Sequence, residues 1–135
     1  MAQDCTLNLD VRMLDTVNSE IERCRPWIEA ALKRSGDLNT WAEVYSGICS
    51  GKMQLWPEER GCIITEIVVY PNTKALHVFL AGGELDEILQ MTENVKEWAK
   101  LQGCSFASFD GRFGWQKPLE KIGWKPHSIT MHLEF

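Results

Sequence analysis

Between Lys74 and Gly123 the chain spells a strand, a helix, a strand and a second helix: KALHVFLAGG, ELDEILQMTENVKEWAKLQG, CSFASFDGR and FGWQKPLEKIG. Ala75 to Leu80 is an almost unbroken apolar run, the composition of a strand covered on both faces. Gly82-Gly83 breaks it, and a helical pattern follows at once. Leu85, Ile88, Leu89, Val95, Trp98 and Ala99 recur on one face of a 3.6-residue period, and Gly103 closes that helix in the manner of a left-handed cap. A second apolar strand, Phe106 to Phe109, comes next. A strand, a crossover helix and a strand in so short a span predict a right-handed parallel unit. Ligands of such units favour the carboxyl ends of the strands. That edge carries Ala81-Gly82-Gly83 and Asp110-Gly111-Arg112, and a small-molecule site is expected there.

The remaining elements have to fit around this unit. Cys5, Leu7, Leu9 and Val11 alternate with polar residues, the period of a half-buried first strand. Val17, Ile21, Cys24, Ile28 and Leu32 form a helical seam, kinked or restarted at Pro26 and ended by Ser35-Gly36. Thr40 and Glu43 have the spacing of a capping box for a short second helix that Gly51 ends. Strands over 53–56, 62–70 and 74–80, separated by turns at Pro57–Gly61 and Pro71-Asn72, predict an antiparallel meander. His127 to Phe135 alternates again and is expected to be the last strand. The fold class is therefore α/β: one domain over residues 1–135, with a mixed, mostly antiparallel sheet and helices on both faces.

Composition narrows the function. The 135 residues suffice for one domain and not two. A net charge of −5 argues against non-specific nucleic-acid binding, and no apolar run approaches the roughly 20 residues of a membrane span. The start MAQDCTLNLD lacks the basic and apolar regions of a signal peptide, so a cytoplasmic location is expected. The five cysteines are odd in number, scattered and never spaced CxxC, which reads as free thiols in a reducing compartment. His127 and His132, five apart in an expected strand, face opposite sides, and no Cys/His cluster has zinc spacing, so no metal is expected.

The element order, with a glycine turn between the fourth strand and the third helix, resembles the GCN5-related N-acetyltransferase (GNAT) fold. The segments GKMQLWP, TEIVVYP, VFLAGGELDEI, WAKLQGC and GRFGWQKPLEKIGW are similar to those of small acetyltransferase-like proteins of tailed bacteriophages and prophages. The resemblance implies an acyl-CoA-dependent N-acetyltransferase that uses acetyl-CoA on an amine substrate. It equally implies a second possibility: an inactive, GNAT-derived protein that is virion-associated or serves assembly, with phage structural proteins as partners. The host-cell cytoplasm, and in the second case the virion, would be its location.

On the family's pattern, backbone N–H groups after the fourth strand hold the coenzyme pyrophosphate. That role would fall to Phe79, Leu80, Ala81, Gly82, Gly83, Glu84 and Leu85, with Arg112 as a phosphate partner. The family's leading Gln/Arg and G-x-G spacing are absent, and Glu84, Asp86 and Glu87 crowd the helix start. A plain glycine turn before an acid-stabilised helix is the competing account. The family's frequent tyrosine acid has no counterpart in the fourth helix. For the base, Glu66 shares a strand face with Ile64 and Val68, and His77 sits between Ala75 and Phe79 in strand parity. Either could take a proton from an amine; either could equally be a paired or hydrogen-bonded core residue. Arg112 could instead pair with Asp110.

Overall fold

The computed structural model describes the backbone of residues 11–135 and the side chains of residues 16–135. The strand expected over Cys5–Asp10 lies outside the described residues. Val11 is helical and opens α1 (Val11–Arg34), followed by α2 (Trp41–Ser50), β1 (Met53–Glu58), β2 (Gly61–Val69), β3 (Lys74–Gly83), α3 (Leu85–Leu101), β4 (Cys104–Phe109), a 3₁₀ turn (Phe113–Trp115) and α4 (Gln116–Glu120). Helix α1 runs through Pro26 as one element rather than restarting there. Its seam, Val17, Ile21, Cys24, Ile28 and Leu32, is buried, so packing outweighs the backbone bond that Pro26 removes. In α2 the Thr40–Glu43 capping box is formed and Gly51 ends the helix at φ 81°.

The sheet has the order β1-β2-β3-β4, antiparallel except for the parallel pair β3/β4. Each face carries its own core. Helices α1 and α2 bury Ile21, Cys24, Ile28, Val44 and Ile48 against Leu55, Cys62, Ile64 and Leu80. On the other face α3 packs Ile88, Met91, Val95 and Ala99 on Trp56, Ile63, Leu76 and Val78, with Trp98, Trp115 and Trp124 closing the margin. The mixed α/β architecture with helices on both faces matches the sequence expectation. A buried polar chain locks β1 to β2: Trp56 Nε1 donates to Thr65 Oγ1 (2.9 Å), which donates to Gln54 Oε1 (2.8 Å).

Three expectations are corrected. Gly82 and Gly83 do not break β3; they are its last residues, paired with Cys62 and Gly61. They are glycines because other backbone comes close: a Cβ on Gly82 would lie 2.9 Å from Trp27 O, and one on Gly83 (φ 109°) 2.3 Å from Arg60 O. The fourth helix is a 3₁₀ turn and five α-residues instead of one helix from Phe113 to Gly123, with Pro118 inside. Finally, His127–Phe135 is not a strand. Among the described residues it pairs with no strand, and Ile129, Met131, Leu133 and Phe135 are exposed, because alternation makes a strand only where a neighbouring edge accepts its hydrogen bonds.

Candidate functional site: the open edge of β3

Strand β3 is longer than its parallel neighbour. The two pair from Lys74/Cys104 to Val78/Phe109, and beyond that point β3 continues through Gly83 with its β4-facing side unpaired among the described residues. The separation coincides with a bulge: Ile64 of β2 faces Leu80 and Thr65 faces Val78, so Phe79 is the extra residue on β3. A bulge sharpens the local twist and re-aims the backbone beyond it.

Register fixes which amides face the opening. Glu84 N–H donates to Arg60 O at 2.8 Å, so the antiparallel alternation turns the Gly82 and Leu80 amides toward β2 as well. The amides of Ala81 and Gly83 therefore face the unpaired side. They lead into α3, whose N-cap Glu84 makes no side-chain cap bond, leaving the first-turn donors from Leu85 onward without an intrahelical partner. Of the seven positions expected to offer amides, Leu80, Gly82 and Glu84 are engaged within the protein. Ala81, Gly83 and Leu85 line the opening.

The acids at the start of α3 are not equivalent. Glu87 is tied to Arg60, through Nε at 2.6 Å and the backbone N at 3.2 Å, while Glu84 and Asp86 are exposed. Below the opening, Val78, Ala81, Ile88, Phe109, Trp115 and Trp124 line an apolar cavity of about 20 Å³. The Phe109 and Trp115 rings meet edge-on at 5.5 Å across it. Arg112 is exposed at the head of the 3₁₀ turn and forms no ion pair among the described residues. The carboxylate nearest His77 is Asp110, with Oδ2 3.9 Å from Nε2.

The two base candidates come together. Glu66 and His77 are direct cross-strand partners on the face that α1 and α2 cover, both half-buried. The same row continues to Ser108 of β4, whose Oγ is 2.9 Å from His77 Nδ1. Sequence reasoning missed Ser108. Its alternation with Ala107 and Phe109 fixed its face, but only the β3/β4 register places it opposite His77. Glu66, His77, Ser108 and Asp110 thus make a polar row across three strands, one to two residues before the bulge.

No protein-family model matches the sequence, and no curated protein matches it. Solved structures do. An aminoglycoside acetyltransferase from an uncultured soil metagenomic sample superposes over 94% of this chain and 95% of its own, at TM-score 0.60 and 10% identity. The fold is that of the GCN5-related N-acetyltransferases. The Arabidopsis thaliana glucosamine-6-phosphate N-acetyltransferase agrees over 70% of this chain and 74% of its own, at TM-score 0.53 and 18% identity. A Trypanosoma brucei acetyltransferase is matched over 59% of its own length and 56% of this chain, at TM-score 0.48 and 15% identity, too weakly to carry weight. At these identities the likeness establishes the GNAT fold alone. Among the described residues no helix is long and apolar enough to cross a membrane, and no group of three or more His, Cys, Asp or Glu is placed to hold a metal ion.

Proposed function

We propose that this GNAT-fold chain is an acyl-CoA-dependent N-acyltransferase, and one observation carries the proposal. Past the Phe79 bulge, β3 loses its parallel neighbour and turns the Ala81 and Gly83 amides outward, directly before the uncapped start of α3. An extended arm with amide groups, such as pantetheine, can pair along that edge as a strand does. A pyrophosphate then meets the helix N-terminus, where N–H groups and the helix dipole favour an anion. The donor set fits the acyl donor, and Ala81, Gly83 and Leu85 would hold it, with Arg112, exposed on the loop after β4, as a phosphate partner. The apolar cavity would take the first methylenes of the arm once Trp115 swings off Phe109.

The chemistry is attack of an amine on a thioester. The amine nitrogen forms a bond to the acyl carbon, the carbon–sulfur bond breaks, the amine loses a proton and the thiolate gains one. The Ala81 N–H, the free amide of the 79–81 stretch, would stabilise the developing oxyanion. His77 is the proton acceptor of choice, since imidazole is the side-chain type that exchanges protons near neutrality. Ser108 fixes its Nδ1, leaving Nε2 toward the exposed Asp110. Glu66, beside it on β2, is the alternative base. With no tyrosine in α4, the thiolate proton comes from water or from the protonated base.

A second reading rests on the same cavity. At about 20 Å³, with Phe109 against Trp115, it is closed to a pantetheine arm as it stands. If it stays closed, the protein is an inactive GNAT derivative that binds phage structural proteins in assembly or in the virion. The tailed-phage or prophage origin and the host cytoplasm as its location rest on the sequence segments quoted above. Thermal denaturation with added acetyl-CoA separates the readings, because a ligand that binds only the native state raises Tm. A concentration-dependent rise supports acyl transfer; no rise at millimolar acetyl-CoA leaves the binding protein.

A further inference from the structure

Ser108 has no part in the acyl transfer beyond its bond to His77, yet its surroundings are those of a nucleophile. Its Oγ lies 2.9 Å from His77 Nδ1, and Nε2 of the same ring lies 3.9 Å from Asp110 Oδ2. A neutral imidazole has one N–H to give. With that proton on Nε2, toward the carboxylate, Nδ1 is the acceptor and the Ser108 hydroxyl is the donor. Hydroxyl, imidazole and carboxylate then stand in the order that prepares a serine for attack. The ring draws off the hydroxyl proton, and the acid stabilises the imidazolium that results. Glu66, directly across from His77 on β2, adds a second carboxylate beside the ring. With Nε2 unprotonated the ring serves an amine; with Nε2–H toward Asp110 it serves Ser108.

Access and a substrate class come from the sheet. β4 is its last strand, and among the described residues no strand lies beyond it, so the half-buried Ser108 is approached from that open edge. By strand parity the same face of β4 carries Phe106, two residues earlier, whose ring stacks on Tyr70 at 6.3 Å. Both residues are about half exposed, at 49% and 47%, and offer an aromatic group an apolar surface beside the hydroxyl. We propose that Ser108 is the nucleophile of a second activity, the hydrolysis of short acyl esters of aromatic alcohols through an acyl-serine. Ser108 Oγ bonds to the acyl carbon while its proton passes to His77 Nδ1. The ester's carbon–oxygen bond breaks, and the departing aryl oxide takes that proton. Water then attacks the acyl-serine, giving its proton to His77, which returns it to Ser108 Oγ as the carboxylic acid leaves. No coenzyme enters either step, so this activity stands or falls apart from the acyl-transfer reading.

Rapid mixing of the full chain with p-nitrophenyl acetate, with no coenzyme present, reads it directly. With so good a leaving group acylation outruns deacylation, and the acyl-serine accumulates. The expected trace is a burst approaching one nitrophenolate per chain, followed by slower steady release. Acid-quenched wild-type protein gains a single acetyl group, which peptide mass spectrometry places on Ser108. Ser108→Ala loses the burst and the label with unchanged far-UV circular dichroism, and His77→Gln slows the burst roughly 10²-fold or more. Phe106→Ala keeps the label and raises the half-saturating ester concentration several-fold. An acetyl group found on a lysine, a cysteine or His77 in place of Ser108 overturns the proposal on the wild-type protein alone. So does release no faster than in buffer, or a burst that survives in Ser108→Ala.

Discussion

His77 Nδ1 stands 2.9 Å from Ser108 Oγ across the parallel junction of β3 and β4, and Glu66 is His77's direct partner on β2. This row gives the proposed reaction its sharpest test. His77→Gln removes the base while keeping a polar side chain, and kcat falls roughly 10²–10⁴-fold, the range for loss of general-base catalysis. Ser108→Ala lowers the rate less and changes the pH dependence of kcat/KM, because His77 loses the hydrogen bond that holds its ring in place. Steady-state assays across pH with an amine panel check both. Full activity in His77→Gln combined with its loss in Glu66→Gln would move the base to Glu66.

The acids at the start of α3 predict a gain. Asp86 is exposed in the first turn and repels any phosphate bound there, whereas Glu87 is already engaged by Arg60. Asp86→Asn therefore tightens acetyl-CoA binding several-fold at low salt. It also gives up about 0.3–1 kcal/mol of helix-dipole stabilisation. Calorimetric titration and urea denaturation of the same variant read the two effects, which have opposite signs.

Thr65 is the hinge of the buried polar chain, accepting from Trp56 Nε1 and donating to Gln54. Thr65→Val keeps the shape and β propensity but strands a buried indole N–H and an amide oxygen. Each unsatisfied buried group costs about 1–3 kcal/mol, so stability falls by roughly 2–6 kcal/mol. An unchanged slope in urea denaturation with a lower midpoint would show a loss of stability and not of compactness.

Cys24 and Cys62 are both buried between α1 and β2. The S–H that Cys62 gives to Cys24, together with burial, holds Cys62 well above the usual thiol range. A group whose pKa is raised on folding contributes stability that is complete below its unfolded value, about 8.5 for a thiol, and is lost as pH rises above it. Native stability should therefore be insensitive to this thiol below pH 8. Above pH 9 it declines by up to about 1.4 kcal/mol per pH unit on its account. The same bond holds the Cys24 thiol below its usual range and works against this slope, so denaturation midpoints from pH 7 to 10 are compared for wild type, Cys24→Ala and Cys62→Ala: the decline persists in Cys24→Ala, where Cys62 stays buried, and is lost in Cys62→Ala.

Gly83 has no freedom to change. Its φ is 109°, and a Cβ added there would stand 2.3 Å from both Arg60 O and Gly61 Cα. Gly83→Ala must therefore displace backbone at the β2–β3 junction and the α3 start. Gly36, at φ 90° with open space around it, bears only the left-handed penalty, so Gly36→Ala costs about 1–2 kcal/mol. Gly83→Ala should cost clearly more and should also weaken acetyl-CoA binding; parallel thermal melts and titrations of the two variants compare them.

The chain by itself determined its elements wherever one local signal was strong. The α1 seam, the Thr40–Glu43 cap, the meander and the β3-α3-β4 unit follow from apolar period, capping chemistry and turn residues, all of which act within a few residues. Glu66 and His77 were legible as polar residues on apolar strand faces. The tertiary structure decided what depends on partners distant in sequence. The Phe79 bulge sets which amides are free, Trp27 and Arg60 explain the glycine pair, and the β3/β4 register brings Ser108 to His77. The segment 127–135 carries a strand's alternation yet joins no strand among the described residues, since a strand's hydrogen bonds belong to its neighbour as much as to itself.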